Sequence, residues 1–171
     1  MAAGNTYVAL ATQTLGSAVA TVTFSSIPGT YTDLVLVMQP AGSSTSQNIG
    51  LRFNSDSGSN YGETNIKGSG TTASSSRAAS IPYINVTDLI GTASTLGEQI
   101  GICNIMNYSN STTYKTVLTR SGKNSSANNG VEAIAAVWRN TAAITTIDVV
   151  QSGAVTFSIG STFSLYGIAS A

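Results

Sequence analysis

Hydrophobic and polar positions alternate with a period of two along most of this chain, in short runs. That period places successive side chains on opposite faces of a β-strand. Tyr7–Leu15 predicts a first strand, with Val8, Leu10 and Thr12 on one face and Tyr7, Ala9 and Ala11 on the other. Val19–Phe24 is rich in β-branched residues and follows closely, so a hairpin between the two is expected. Asp33–Gln39, DLVLVMQ, is a continuous apolar run of strand length, the pattern of a central strand buried on both faces. Ile49–Asn54 then opens the stretch around which the chain is organised, Leu51 to Tyr61, LRFNSDSGSNY. Leu51 and Phe53 share one face, and the run breaks into Asn, Ser, Asp and Gly. Asp and Asn bond their own backbone in turns, and Gly accepts positive φ. Tyr61 closes the turn and begins a strand to Lys67.

Gly68 to Ser80, GSGTTASSSRAAS, is low in complexity and predicts a long exposed loop near 68–80. Ile81–Val86 follows as an edge strand, because Pro82 cannot donate to a ladder. Asp88 to Leu96 is expected to hold a short helical turn. Gln99–Asn107, Tyr114–Arg120, Val131–Arg139, Ile144–Val150, Val155–Ile159 and Thr162–Ile168 complete the strands, with turns at 108–113, 121–130 and 153. There is no amphipathic helix, sustained heptad or internal repeat. The expected fold is all-β: one antiparallel β-sandwich over residues 1–171, jelly-roll-like because the strands fall into two groups either side of the loop. A closed barrel is the alternative. The loop as a linker between two domains is rejected, since neither half has enough strands to close a sandwich.

Charge changes the picture most. Only 8% of residues are charged, against about 25% in an average soluble domain. Seven basic residues balance seven acidic ones, so little repulsion keeps copies apart and tight assembly is favoured. Nucleic acid is argued against, because phosphate binding needs clustered Lys and Arg. Only Lys115, Arg120 and Lys123 lie close together, and a solvated hairpin tip is the expectation for those three. No apolar run is long enough to span a bilayer, and no basic-then-apolar leader marks export, so synthesis in a cytosol is expected. The one cysteine, Cys103, sits in a strand-like run and is expected to be packed.

Candidate chemistry is sparse. The chain has no His, which removes the usual Ser-His-Asp and Cys-His arrangements and His-containing zinc sites. No phosphate-cradling P-loop is present. Paired carboxylates could hydrolyse a glycan, and Glu132, in an apolar strand near Trp138, is the one to watch. A core-edge Glu with a hydrogen-bond partner is the plainer reading. Asn54-x-Asp56-x-Gly58-x-Asn60 has alternating oxygen ligands, but position twelve is Asn65 rather than Glu, so an Asx-type turn is expected instead of a calcium loop. No cofactor is expected. Tyr61, Tyr83, Tyr108 and Tyr114 flank polar loops and suit either a binding surface or the capping of the sandwich ends.

Several stretches carry a family likeness: Tyr7–Leu15, Val22–Leu34, the central LRFNSDSGSNY, Ile105–Asn110, Trp138–Ile144 and Leu165–Ile168. Together they resemble small virion structural proteins of tailed bacteriophages, including cyanophage-like ones. The resemblance implies a β-sandwich on the outer surface of the particle, made in the host cytoplasm and without catalytic residues. The first expectation is a capsid decoration (cement) protein seated on the major capsid protein as a homotrimer. The alternative is a tail-fibre or receptor-binding module contacting host surface glycans or tail components. A glycan-degrading enzyme is the remote third. The expected contact surface comprises Asn54, Asp56, Ser59, Asn60, Tyr61, Arg77, Tyr83 and Tyr108.

Overall fold

The computed structural model describes residues 6–44, 47–88, 92–125 and 129–169. Among them are twelve strands and no helix. In chain order these are β1 (Tyr7–Thr14), β2 (Thr21–Phe24), β3 (Asp33–Gln39), β4 (Ile49–Phe53), β5 (Tyr61–Gly68) and β6 (Ala73–Ile81), then β7 (Ile84–Thr87), β8 (Gln99–Met106), β9 (Lys115–Asn124), β10 (Asn129–Trp138), β11 (Ile147–Gln151) and β12 (Thr162–Ile168). All pairings are antiparallel.

Two sheets result. The larger has the order β1-β12-β3-β8-β9-β10-β5-β6, and the smaller β2-β11-β4-β7. The chain therefore alternates between sheets as it passes through β1, β2, β3 and β4, and again through β11 and β12. The orders β1-β12-β3-β8 and β2-β11-β4-β7 are those of the two sheets of a jelly roll. Two hairpin excursions, β5–β6 and β9–β10, then widen the large sheet on one side.

The alternation in sequence fixes which face is buried. Leu34, Leu36 and Met38 of β3, Cys103 and Ile105 of β8, Val117 of β9, and Ile134, Ala136 and Trp138 of β10 point inward. They meet Val22, Phe24, Ile49, Leu51, Phe53, Ile84, Val86, Ile147 and Val149 from the small sheet. Cys103 is packed among them, and burial pushes its thiol well above the ordinary range. The buried faces form one hydrophobic cluster drawn from both sheets.

Several expectations are corrected. β1 and β2 are not a hairpin; they lie in different sheets. The strands do not divide into two groups either side of residues 68–80, because each sheet takes strands from both halves of the chain. Gly68 to Ser80 is not a long loop: a turn at 69–72, closed by Ser69 N–H donating to Thr72 O (2.9 Å), leads into β6. Ser and Ala have little strand preference of their own, but the ladder to β5 supplies the hydrogen bonds. The 121–130 turn is shorter than expected, since β9 runs to Asn124 and β10 begins at Asn129. The strand expected over Val155–Ile159 is reduced to single bridges from Phe157 to Val19 and Gly42. No helical turn forms over 92–96, and residues 89–91 of that expectation lie outside the described residues.

Close packing at one glycine gives a direct test. A Cβ on Gly167 of β12 would lie 2.4 Å from Tyr31 Cγ, inside any real contact. Gly167→Ala is expected to cost about 1–3 kcal/mol by overpacking, read as a lower urea midpoint at unchanged m-value. In a Tyr31→Ala background the same substitution should cost far less, because the obstructing ring is gone.

Candidate functional site

The turn between β4 and β5 joins the two sheets, and its polar side chains are engaged inside the protein. Asn54 and Ser55 both take positive φ (52° and 56°), a conformation Asn tolerates better than most residues. Asn54 Oδ1 accepts from Thr145 N–H (2.9 Å) and Thr146 N–H (3.1 Å), and Asn54 Nδ2 donates to Ala143 O (2.8 Å). Ser55 Oγ and Thr23 Oγ donate to the two carboxylate oxygens of Asp148. Asp56 forms the expected Asx-type turn, its Oδ1 accepting from Gly58 N–H at 2.9 Å. Its Oδ2 accepts from Asn60 Nδ2 (2.9 Å) and from the indole N–H of Trp138 (2.8 Å). Burial alone would raise the Asp56 carboxyl; the bonds from Trp138, Asn60 and Gly58 outweigh it and hold it below its ordinary value.

Tyr61 lies fully buried between Phe53 and Trp138, its ring stacked on the indole with centroids 6.3 Å apart. Its hydroxyl donates to Asp56 O and accepts from Phe53 N–H, both at 3.0 Å. Tyr108 is also fully buried; its hydroxyl donates to Pro28 O and accepts from Tyr31 N–H. Neither ring presents a surface to a partner, so these two members of the expected contact set are structural. Both rings saturate the sandwich, and the polar end of each finds backbone partners.

The other expected contact residues stay at or near the surface. Ser59 and Asn60 are exposed at the turn, where Arg139 anchors them by its Nη2 to Ser59 O (2.9 Å). Arg77 is exposed on β6. Tyr83 lies half-buried across Gly50 on the outer face of the small sheet, with the Arg52 guanidinium 5.8 Å from its ring centroid. Asn54, Asp56, Ser59 and Asn60 are thus brought together, while Arg77 and Tyr83 belong to other surfaces.

A polar strip lies between the sheets beneath β7. Glu63 accepts from Asn85 N–H (2.8 Å) and Asn85 Nδ2 (2.6 Å). Asp88 accepts from Asn65 Nδ2 (2.7 Å) and Asn48 Nδ2 (3.2 Å), and its own N–H donates to Glu132 Oε2 (3.0 Å). Burial raises the Glu63 carboxyl; the Asn85 bonds oppose this, and the neighbouring Asp88 and Glu132 add to it. Glu132 is 4% exposed, faces inward and bonds backbone, matching the plainer of its two readings. The expected solvated tip of Lys115, Arg120 and Lys123 is overturned for both lysines. They sit on the inward face of β9, 0% and 4% exposed, and only Arg120 faces out. Lys115 Nζ donates to the carbonyls of Thr113 (2.7 Å) and Thr141 (2.9 Å), and burial lowers its ammonium from the ordinary lysine value.

The surface that sequence reasoning missed is the outer face of the large sheet. Ile100 and Met106 of β8, Leu118 of β9, Val131 of β10 and Ile66 of β5 are all exposed there, Ile66 and Val131 by more than 60%. Between them stand small residues, Thr116, Ala133, Ala135 and Thr64, in register across neighbouring strands. The face is grooved: one open groove of about 800 Å³ is lined by Ile66, Ala73, Ser75, Arg120, Val131 and Ala133. A second, of about 390 Å³, runs past Thr64, Arg77, Thr116, Ala135 and Val137. Among the outward residues of β5, β8, β9 and β10, Arg120 is the one charged side chain, and none is aromatic. The signal was in β8 and β10, which read apolar on both faces, as strands covered on both sides do.

Asp56→Ala leaves the buried Trp138 N–H without an acceptor and releases Asn60. A loss of about 3 kcal/mol is expected, a fall in Tm of roughly 6–12 °C, with a changed Trp138 emission. Because the folded-state value lies below the ordinary 3.8, the carboxylate's contribution is present above about pH 4 and is lost as pH falls through the lowered value. Urea titrations of wild type and Asp56→Asn should therefore converge as pH falls through that lowered value. A gap that stays constant into acid would show that the charge of Asp56 contributes nothing.

No protein-family model matches the chain, and comparison with curated proteins and with solved structures gives no match.

Proposed function

We propose that this chain is a non-enzymatic structural protein of a tailed-phage virion, and that it acts as a capsid decoration protein, binding the outside of the head as an oligomer. The observation that carries the reading is the outer face of the large sheet: broad, grooved and largely apolar, with Arg77 and Arg120 as its charged side chains. Contiguous apolar surface of this kind marks an interaction site. Its small side chains and lack of aromatics fit a protein surface better than a sugar, which is bound by stacking on aromatic rings. The resemblance of the Tyr7–Leu15, Val22–Leu34 and LRFNSDSGSNY stretches to small phage virion proteins points the same way. The carboxylates that could have served a glycosidase support the non-enzymatic reading, since Glu63, Asp88 and Glu132 are tied to amides of Asn85, Asn65 and Asp88.

The partner is the major capsid protein, and its contribution is a complementary apolar surface that covers the grooves. The tail-fibre reading has one observation of its own: Tyr114 is 55% exposed beside the Asn110 turn, a single aromatic of the kind a glycan would use.

Immunogold labelling of intact particles tests the location: gold over the head is the expected result, and gold confined to tail tip or fibres would reject decoration. Leu118→Asp tests the surface. It places a charge in the centre of the exposed face, so stability should change by less than about 1 kcal/mol. Incorporation into particles, measured by quantitative blotting of purified virions, should drop at least tenfold. Normal incorporation would remove this face from the interface.

A further inference from the structure

We infer that β6 is a docking edge for a second copy of this chain, and that two copies pair β6 to β6 about a two-fold axis, joining their large sheets into one. The inference concerns self-association and stands apart from the virion reading; it holds wherever the protein is carried.

β6 ends the large sheet and pairs only with β5. Its residues are exposed on both faces, apart from partial cover at Ala78 and Ile81, so an incoming strand meets no obstruction. Ser76 N–H turns toward β5, donating to Asn65 Oδ1 at 3.0 Å. Backbone groups alternate between the two edges of a strand, so Ala73, Ser75, Arg77 and Ala79 direct N–H and C=O outward. No backbone hydrogen bond from another loop covers that edge among the described residues.

The other sheet ends are protected, and the contrast singles out β6. β1 carries a register slip between Ala9 and Ala11, and the outer strands of the small sheet, β2 and β7, are four residues long. Protein edges are commonly blunted by such bulges, short strands, Pro or Lys. β6 has nine residues, no Pro and no Lys, and its register slips only at the end by Tyr61 and Gly62.

The occupant follows from the side chains. The β6 side chains are small apart from Arg77 and Ile81, and the grooves they border lie on the face of the sheet rather than along its edge, so recognition at the edge comes from the backbone and from fit of length. A copy of the same strand matches both. The regular part, Ala73–Ala79, is centred on Ser76. A two-fold pairing about that residue sets Ala73 opposite Ala79, Ser74 opposite Ala78 and Ser75 opposite Arg77. Every pair is small or uncharged on one side, and Arg77 never faces its own copy. The zero net charge adds no long-range repulsion. The two-fold contact is closed, so it yields a dimer contact and not a fibre through this edge.

Sedimentation velocity over a concentration series is the test, with two variants. Ser75→Pro removes one outward N–H where an edge strand tolerates it. It should abolish the β6-dependent association while leaving Tm and Trp138 emission unchanged. Ser76→Cys places two sulfurs across a non-hydrogen-bonded pair, with Cα atoms about 4.5 Å apart, within disulfide reach. Mild oxidation should yield a covalent dimer on a non-reducing gel that reductant reverses; Cys103 is fully buried and stays out of the exchange. A wild type that sediments as a monomer up to its solubility limit overturns the inference. So does an oligomer that survives Ser75→Pro, or, should that variant misfold, a self-associating Ser76→Cys protein that does not cross-link.

Discussion

The buried indole N–H of Trp138 must find an acceptor, and the rest of the architecture depends on how that need is met. A buried donor without a partner costs about as much as a cavity mutation. Asp56 meets it from the β4–β5 turn, on the far side of the sandwich from where β10 begins. The same turn carries Asn54, which receives the chain before β11, and Tyr61, which packs on the indole. The turn 53–61 is thereby fixed to a stretch about eighty residues on, at 138–139 and 143–148. Since the turn leaves the small sheet and enters the large one, this node sets how the two sheets lie over each other.

Away from that node the interior changes character. Under β7 the core gives way to Glu63, Asn65, Asn85, Asp88 and Glu132, linked by hydrogen bonds. β5, β9 and β10 pack part of their inward faces into the core through Tyr61, Val117, Ile134, Ala136 and Trp138, and beneath β7, the edge of the small sheet, the same faces carry buried polar groups. Their outward faces do the reverse and remain apolar. The excursion hairpins thus mix the usual arrangement, with a buried polar strip beside the core on one face and exposed aliphatic residues on the other.

Much of the sandwich was legible in the sequence because period-two patterning is local. β3, β4, β8 and β12 are recognisable from their own side chains, and so is the Asx turn at Asp56. What failed was whatever depends on a distant neighbour. β6 has a loop-like composition and becomes a strand only because β5 is beside it. Lys115 and Lys123 look solvated by residue type, but strand alternation after Lys115 turns both inward, where carbonyls receive them. Tyr61 and Tyr108, beside polar loops, suit a binding surface or the capping of the sandwich ends by residue type, and the fold decides for burial. The grooved outer face was half legible: β8 and β10 read apolar on both faces, but whether a second sheet lies over them is decided by the fold.

β12, the last strand of the chain, lies between β1 and β3, the first and third. Until residues 162–168 have left the ribosome, β1 has no neighbour to pair with, and the large sheet has a gap one strand wide. The gap exposes the Leu34–Met38 strand along a full edge. Closure of the large sheet therefore waits on β12: a chain stopped short of residue 162 leaves β1 unpaired and β3 bonded on one side only.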